Sequence, residues 1–501
     1  LRHVPEHKPD QGHTVEKEED HQEGLHFVTL QFGIIKESNP SSNHTRSEVS
    51  TVPPLSPSMD SLSFGRMIHV VTVGAHLGYD LSTTPLGGGG TVGTHLVRHW
   101  ASREDLRLIV IGSGPIPPAE GVEYVQIKWQ TGAGERDPSS FSVREYARFC
   151  RKFSWKVTEY LKDLAKRLDP ARTCIVHHDV AEAPDFARLR VWGYRQVGIF
   201  HVDVVDYVAN IYLRGLVSAP ALAKAHRALY RARLHRLLPL ILRLIFVKQE
   251  ECVEHCDLLV VPSRPMADLL ERSYPGRARG KAVVVPWGVI TEGNGRDVNP
   301  LDIRNRYGIP EDRPVLLTLS RISPEKGQDL LLKALRIWER EGNGDLDLFI
   351  CGAPAFMHGR SYYARLVKLA GRLERVKVHF PGYVAGSTKR AFLRAADLYV
   401  FPSRHESYGL TLAEALAVGL PVLATSHHAA CELVRPEFGM VVEPNPRAIY
   451  RGLKELLYDR KKLVEMGKKA REFAQGLKFE IAAQRLGSLI RDLVEPSGKR
   501  V

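Results

Sequence analysis

Short apolar runs alternate with longer segments whose apolar positions recur at helical spacing, and the alternation begins at Met67. Ile68–Val73 reads as a strand, Gly87–Gly90 as a glycine loop, Thr91–Ala101 as a helix and Leu106–Ile111 as a second strand. Further strands are predicted at Cys174–Val176, Val197–Phe200, Leu258–Val261 and Ala282–Val285. Helices are predicted at Val143–Leu168, at Ala221–Glu254 with a break near Pro239, and at Pro265–Arg272. After a Gly/Asn/Asp-rich link at Gly293–Asn299 the alternation restarts. Its strands are Val315–Leu319, Leu346–Ile350, Val376–Phe380, Leu398–Phe401 and Pro421–Leu423, with helices between them and from Pro446 to Leu493. Strands alternating with helices imply parallel sheets. The pattern therefore predicts an α/β protein of two Rossmann-like domains, 67–292 and 300–474, facing each other across a cleft. Residues 475–501 are expected to return as a helix onto the first domain. Ligands belong at the carboxyl ends of the strands.

Residues 1–66 are polar, rich in His, Ser, Pro and Glu, and without sustained periodicity. They read as a disordered tail or a start-site artefact, since Met67 stands directly before the first strand. Asn43-His-Thr45 fits a glycosylation sequon and is read as a chance match.

Composition narrows the class. At 501 residues the chain is too long for one hydrophobic core, which agrees with two domains. The net charge of +13 is unusual for a globular protein and favours an acidic partner: a nucleotide, an anionic membrane surface or nucleic acid. Six sparse cysteines suggest a reducing compartment rather than a disulfide framework. Cys252 and Cys256 are one helical turn apart and read as packed cysteines, because no further metal ligand accompanies them. The longest apolar run, Leu237–Phe246, is short and interrupted, and the N-terminus lacks the apolar core of a signal peptide. A cytoplasmic protein is expected, with peripheral contact at the inner membrane face as an open alternative.

Candidate chemistry gathers where strands end. After Leu398–Phe401 comes Pro402-Ser-Arg-His-Glu-Ser-Tyr-Gly-Leu410, which puts Glu406 in a strand-to-helix turn and Glu414 two helical turns further on. Ser407 and Gly409 leave backbone N–H groups free at a helix start, which suits phosphate or sugar oxygens. After Val315–Leu319 comes Ser320-Arg-Ile-Ser-Pro-Glu-Lys-Gly327, whose Arg321 and Lys326 can bind phosphate. The Gly87–Gly90 run allows close backbone approach to a diphosphate, although a surface loop would read the same way. His177, His178 and Asp179 also end a strand, as acceptor-side groups or as plain loop residues.

These motifs together resemble those of the family 4 glycosyltransferases, retaining enzymes of the GT-B fold. The resemblance rests on R-x-x-x-x-K-G at Arg321–Gly327, on E-x7-E at Glu406 and Glu414, on Gly89-Gly90, and on Val285-Pro-Trp-Gly288. It covers roughly residues 67–490. It implies transfer of a hexosyl group from a nucleotide-diphosphate sugar to a hydroxyl acceptor, with retention and without a metal. Arg321 and Lys326 would neutralise the donor diphosphate, Glu406 would hold hydroxyls of the transferred sugar, and Glu414 would bind the ribose. Ser407, Tyr408, Gly409 and Leu410 would line the donor, and Gly89 and Gly90 would close over the diphosphate. Tyr383 and Val384 would offer backbone to the base, and His201 would lie over the donor sugar as a catalytic residue beside Glu406. One departure stands out: His428 and Ala429 occupy positions where the family often has Gly-Gly ahead of the glutamate matching Glu432.

No cofactor is implied beyond the nucleotide sugar as substrate, with a UDP-sugar favoured. The partners are that donor and a small-molecule, saccharide or lipid-linked acceptor, and no nucleic acid. Asp345-Leu-Asp347 has the spacing of a metal-bridging motif but begins a strand, and it is read as structural. The basic stretch 221–246 suits either an interfacial helix or an amphipathic helix packed on the first sheet. A nucleotide-sugar epimerase or a glycan phosphorylase on the same fold is the alternative enzyme, and a silent binding module has no need of all four of Arg321, Lys326, Glu406 and Glu414.

Overall fold

The computed structural model describes residues 67–129, 136–290, 299–355 and 359–495. The tail 1–66 with its sequon, and the link up to residue 298, lie outside the described residues. Two parallel sheets organise the rest. The first runs β3-β2-β1-β4-β5-β6-β7, with β1 Ile68–Val73, β2 Leu106–Gly112, β3 Glu123–Gln126, β4 Thr173–His177, β5 Arg195–Ile199, β6 Leu258–Val261 and β7 Ala282–Val284. The second runs β10-β9-β8-β11-β12-β13, with β8 Val315–Leu319, β9 Leu346–Cys351, β10 Val376–Gly382, β11 Leu398–Phe401, β12 Val422–Thr425 and β13 Gly439–Val442. In both, the strand order reverses beside the first strand, between β1 and β4 and between β8 and β11. That reversal separates two neighbouring loops and opens a crevice at the carboxyl ends of the strands.

Strands buried on both faces are continuous apolar runs, as in β8 and β11, where every residue is buried. The two strands that the apolar pattern does not predict, β3 and β13, are edge strands and only partly buried. With a sheet neighbour on one side only, they need fewer apolar residues and leave a weaker trace.

Three corrections concern helices. Helix α1, Gly88–Ala101, begins inside the glycine run, so only Gly87 remains outside as its cap. Helix α2, Val143–Leu164, opens on a capping box between Ser142 and Glu145, and a short helix α3, Phe186–Val191, follows β4. The predicted helix Ala221–Glu254 divides into α4, Ala219–Arg231, a 3₁₀ turn at Leu234–Leu237, and α5, Leu240–His255. The break starts at Arg233, whose φ of 60° is left-handed, before Pro239 is reached.

Helix α6, Leu410–Val418, carries Glu414, and the last helix, α7, Phe479–Val494, returns to the first domain. Phe479, Ala483, Leu486 and Ile490 join the apolar cluster of Ile68, Val70, Leu96 and Trp100. The Trp100 indole N–H donates to the Ala483 carbonyl at 3.1 Å. Chain crossing back in this way ties the two domains together near their linker, where Val289 bridges to Lys478.

Candidate active site

The second-domain half of the crevice is built by two loops that must touch. The loop after β8 carries Arg321 and Lys326, and the loop after β11 carries Glu406. Gly327 has φ 65°, and a Cβ there would lie 2.0 Å from the Pro402 carbonyl oxygen. Only glycine allows that approach. Arg404 then clamps the loops, donating to both Asp329 carboxylate oxygens at 2.8 and 2.9 Å and to the Pro324 carbonyl at 2.7 Å. The result is a direct ion pair between the Lys326 ammonium and Glu406. Burial pushes the Glu406 carboxyl up, but Lys326 outweighs it and holds the group below the usual carboxylate range. Glu414, one face of α6 away, accepts from Lys389 at 2.9 Å.

The first-domain half consists of loops after β1, β4 and β5. His201 follows β5 and is stacked on His178, with its Nε2 3.2 Å from His178 Nδ1. Burial, with His178 and His76 nearby, holds His201 well below the usual imidazole range, so its ring is neutral at pH 7. Gly89 lies against it: a Cβ there would sit 3.2 Å from the His201 ring. Deeper in, Tyr146 donates to Glu182, and His76 Nε2 stands 3.9 Å from the same carboxylate. Burial pushes both Asp179 and Glu182 up to about 7.

Across the crevice two helix N-termini meet. Gly88 at the start of α1 approaches Leu410 at the start of α6, where a Cβ would be 3.6 Å from the Leu410 side chain. Neither helix has a side-chain cap, and Gly87 packs against the Arg321 guanidinium. Unpaired N–H groups and two positive dipole ends thus converge with Arg321 and Lys326. An anion with several oxygens is the ligand such a place receives.

The predicted residues divide by what they do here. Arg321, Lys326, Glu406, Gly409, Leu410, Gly89 and His201 line the crevice, with the adjacent Gly90 facing inward against Leu86 and His76. Tyr383 reaches over it, its hydroxyl donating to the Leu81 carbonyl at 2.6 Å, while Val384 is buried. Ser407 and Tyr408 are also buried, and the Tyr408 side chain turns away to accept from the Gly288 N–H at 2.7 Å. Its contribution is to dock the domains. His177 belongs to the core, paired with Gln196 at 3.2 Å, whereas His178 reaches the site.

Residues that sequence reasoning passed over include Asp206, His405 and His427. Asp206 follows β5 and accepts from His405 at 3.0 Å and from His428 at 3.3 Å, both in the other domain. Burial opposes ionisation of Asp206, but the two imidazoles outweigh it and depress its pKa. His428, the departure from the family pattern, is thus part of an interdomain latch. His427 Nδ1 accepts from the Ala430 N–H at 3.2 Å, leaving a buried Nε2 without a partner among the described residues. Burial lowers its pKa to about 3. A pair of histidines one residue past β12 is the available signal.

The D-x-D carboxylates are occupied by cations. Asp345 pairs with Arg375 at 3.0 Å, and Asp347, fully buried, accepts from His379 at 2.6 Å with Arg313 at 3.6 Å. Among the described residues no group of three His, Cys, Asp or Glu is arranged to hold a metal. Cys252 and Cys256 are buried with sulfurs 3.7 Å apart beneath Gly198. No described helix is long and apolar enough to cross a membrane.

Residues 301–473, which contain the whole second-domain half of this site, match the family model described as Glycosyl transferases group 1. The second domain belongs to that family. The chain is 28% identical over 253 residues to the D-inositol 3-phosphate glycosyltransferase of Corynebacterium glutamicum, covering 49% of this chain and 60% of that protein. It is 31% identical over 265 residues to the enzyme of the same description from Streptomyces avermitilis, covering 51% and 56%. The match therefore spans less than two thirds of those relatives. Among solved structures, sucrose-phosphate synthase from Thermosynechococcus elongatus covers 86% of this chain and 100% of its own, with a TM-score of 0.64 at 20% identity. The Anabaena protein HepE, solved with UDP-glucose, covers 84% and 99% with a TM-score of 0.57 at 18% identity. The fold is GT-B, two Rossmann-like domains face to face.

Proposed function

We propose that the protein transfers a hexosyl group, with retention and without a metal, from a nucleotide-diphosphate sugar to a hydroxyl acceptor. The observation that carries this reading is the convergence of two uncapped helix N-termini with Arg321 and Lys326 in one crevice. Glycosyl transfer needs a place where charge growing on a departing diphosphate is stabilised, and fixed N–H dipoles with cations supply it without reorganisation. Lys326 bridges that anion site and Glu406, so the sugar hydroxyls fall to the carboxylate while the ammonium faces the phosphate. The neutral His201 can donate to or accept from the sugar without competing for its positive charge. Asp179 and Glu182, pushed up to about 7 and so shared between acid and carboxylate forms near neutral pH, can both donate to and accept from an acceptor rich in hydroxyls.

A UDP-sugar is the favoured donor; the solved neighbour bound to UDP-glucose and the free Nε2 of His427 near Glu406 support a hexose there. Donor turnover across UDP-, GDP- and ADP-sugars, with and without EDTA, tests the reading, the anomeric configuration being followed by proton NMR. Retention with undiminished rate in EDTA is expected. Conversion of donor to an epimer with no acceptor or water consumed would overturn it, as would loss of turnover on chelation.

A further inference from the structure

A cavity of about 580 Å³ lies on the first domain between α2, α3 and α5, none of which carries a residue assigned to the donor. Five cations line it: Arg148, Arg151 and Lys152 from α2, Arg188 from α3 and Lys248 from α5, against a single carboxylate, Asp185. Helical spacing puts Arg148, Arg151, Lys152 and Trp155 on one face of α2. Arg188 is partly committed to Asp185, at 3.3 Å, and Lys152 donates to the Trp129 carbonyl. Arg148 and Arg151 are exposed and have no ion-pair partner among the described residues.

Two features separate this cavity from an ordinary solvated cationic face. Lys248 is largely buried at its floor, over the Phe186 ring, donating to the Pro184 carbonyl with Glu251 at 3.6 Å. Burial lowers its pKa, so an anion in the cavity would relieve a charge that the fold now holds at a cost. At the rim the Trp155 indole is 62% exposed, beside Leu244. An exposed indole next to guanidinium groups offers an apolar or ring-shaped contact as well as charge.

We propose that this cavity is a second anion site, which takes a phosphate group attached to an apolar or ring-bearing body. Arg148 and Arg151 reach the phosphate oxygens as paired donors, Lys248 supplies charge from below, and Trp155 covers the attached body. The same chemistry is presented by the headgroup of an anionic lipid and by a soluble phosphorylated compound. The site lies on the first domain, so a lipid headgroup bound there would hold that domain at the membrane surface, and a soluble phosphate would be held on the same domain as the acceptor side of the crevice.

The test compares the full chain with Arg148→Glu/Arg151→Glu and with Lys461→Glu/Lys462→Glu, which makes the same change in net charge on an exposed face of the second domain. Binding is read by co-sedimentation with vesicles of phosphatidylglycerol in phosphatidylcholine, and by calorimetry with inorganic pyrophosphate in the presence of saturating UDP. The α2 variant should lose roughly tenfold or more in affinity, the control only about twofold, and both should bind UDP as the parent does. Binding to vesicles that pyrophosphate does not displace assigns the site to a lipid headgroup. Binding of pyrophosphate with no vesicle binding assigns it to a soluble phosphate. Equal losses in the two variants, or no binding of either probe, would overturn the proposal. Unchanged UDP binding keeps this outcome separate from the reading of the crevice.

Discussion

Replacing Lys326 with Met tests the ion pair at the centre of the crevice. The side chains of Lys326 and Glu406 are 11% and 17% exposed, so solvent screens the pair little. Removing one partner of a buried pair costs about 3–5 kcal/mol. The carboxylate has one relief, which is to take up a proton; at pH 7 that costs a carboxyl of ordinary pKa about 4 kcal/mol. The pH-dependent part of the loss should therefore reach about 4 kcal/mol at pH 7 and shrink to about 1 kcal/mol at pH 5. The sign follows from the two folded states. In the parent protein Lys326 depresses the Glu406 pKa, so its contribution is complete above the unfolded value and is lost only as pH falls through the folded one. Between pH 5 and 7 that group leaves the parent curve flat. In Lys326→Met the folded pKa is raised, and stability falls as pH rises from the unfolded value. Urea unfolding at pH 5, 6 and 7, for both single variants and for Lys326→Met/Glu406→Gln, measures this. The double variant should regain most of the stability and none of the transferase activity. A pH-independent deficit, or near-normal turnover in any of the three, would refute the argument.

Two further perturbations probe the interface between the halves. Gly89→Ala places a methyl about 3.2 Å from the His201 ring and should lower donor turnover at least ~10-fold with little change in unfolding midpoint, whereas Gly88→Ala, with ordinary contact to Leu410 at 3.6 Å, should be milder on activity. Equal effects would argue against His201 at the reacting sugar. Asp206→Asn keeps the shape of the latch to His405 and His428 but removes its charge, and should raise KM for the donor more than it lowers kcat, with small-angle scattering showing a wider opening. An unchanged KM would leave the latch without a role in closure.

Much of the protein is legible along the chain because the informative signals are local. Buried parallel strands such as β8 and β11 are continuous apolar runs, and a loop leaving a parallel strand lands on the ligand side whatever surrounds it. Arg321, Lys326, Glu406 and Glu414 could be placed on one edge of one sheet for that reason. Edge strands β3 and β13 left less trace, since one neighbour demands fewer apolar residues. The start of α1 inside the glycine run was also hidden, because glycine favours a loop locally and only the packing of Gly90 and Gly93 against buried neighbours makes the helical turn worthwhile.

Other features exist only through the docking of distant segments. The contact of Gly89 with His201 joins two loops of one domain, the Asp206 latch and the Tyr408 anchor join two domains, and the cationic cavity collects side chains from three helices. Periodicity and spacing report the partners of a residue within a turn or a strand. Which surfaces meet is decided by the shape of the assembled sheets and by the return of α7 across the linker. The chemical groups of the crevice are thus written in the sequence, while their pairing, protonation and opposition across the cleft come from the tertiary structure.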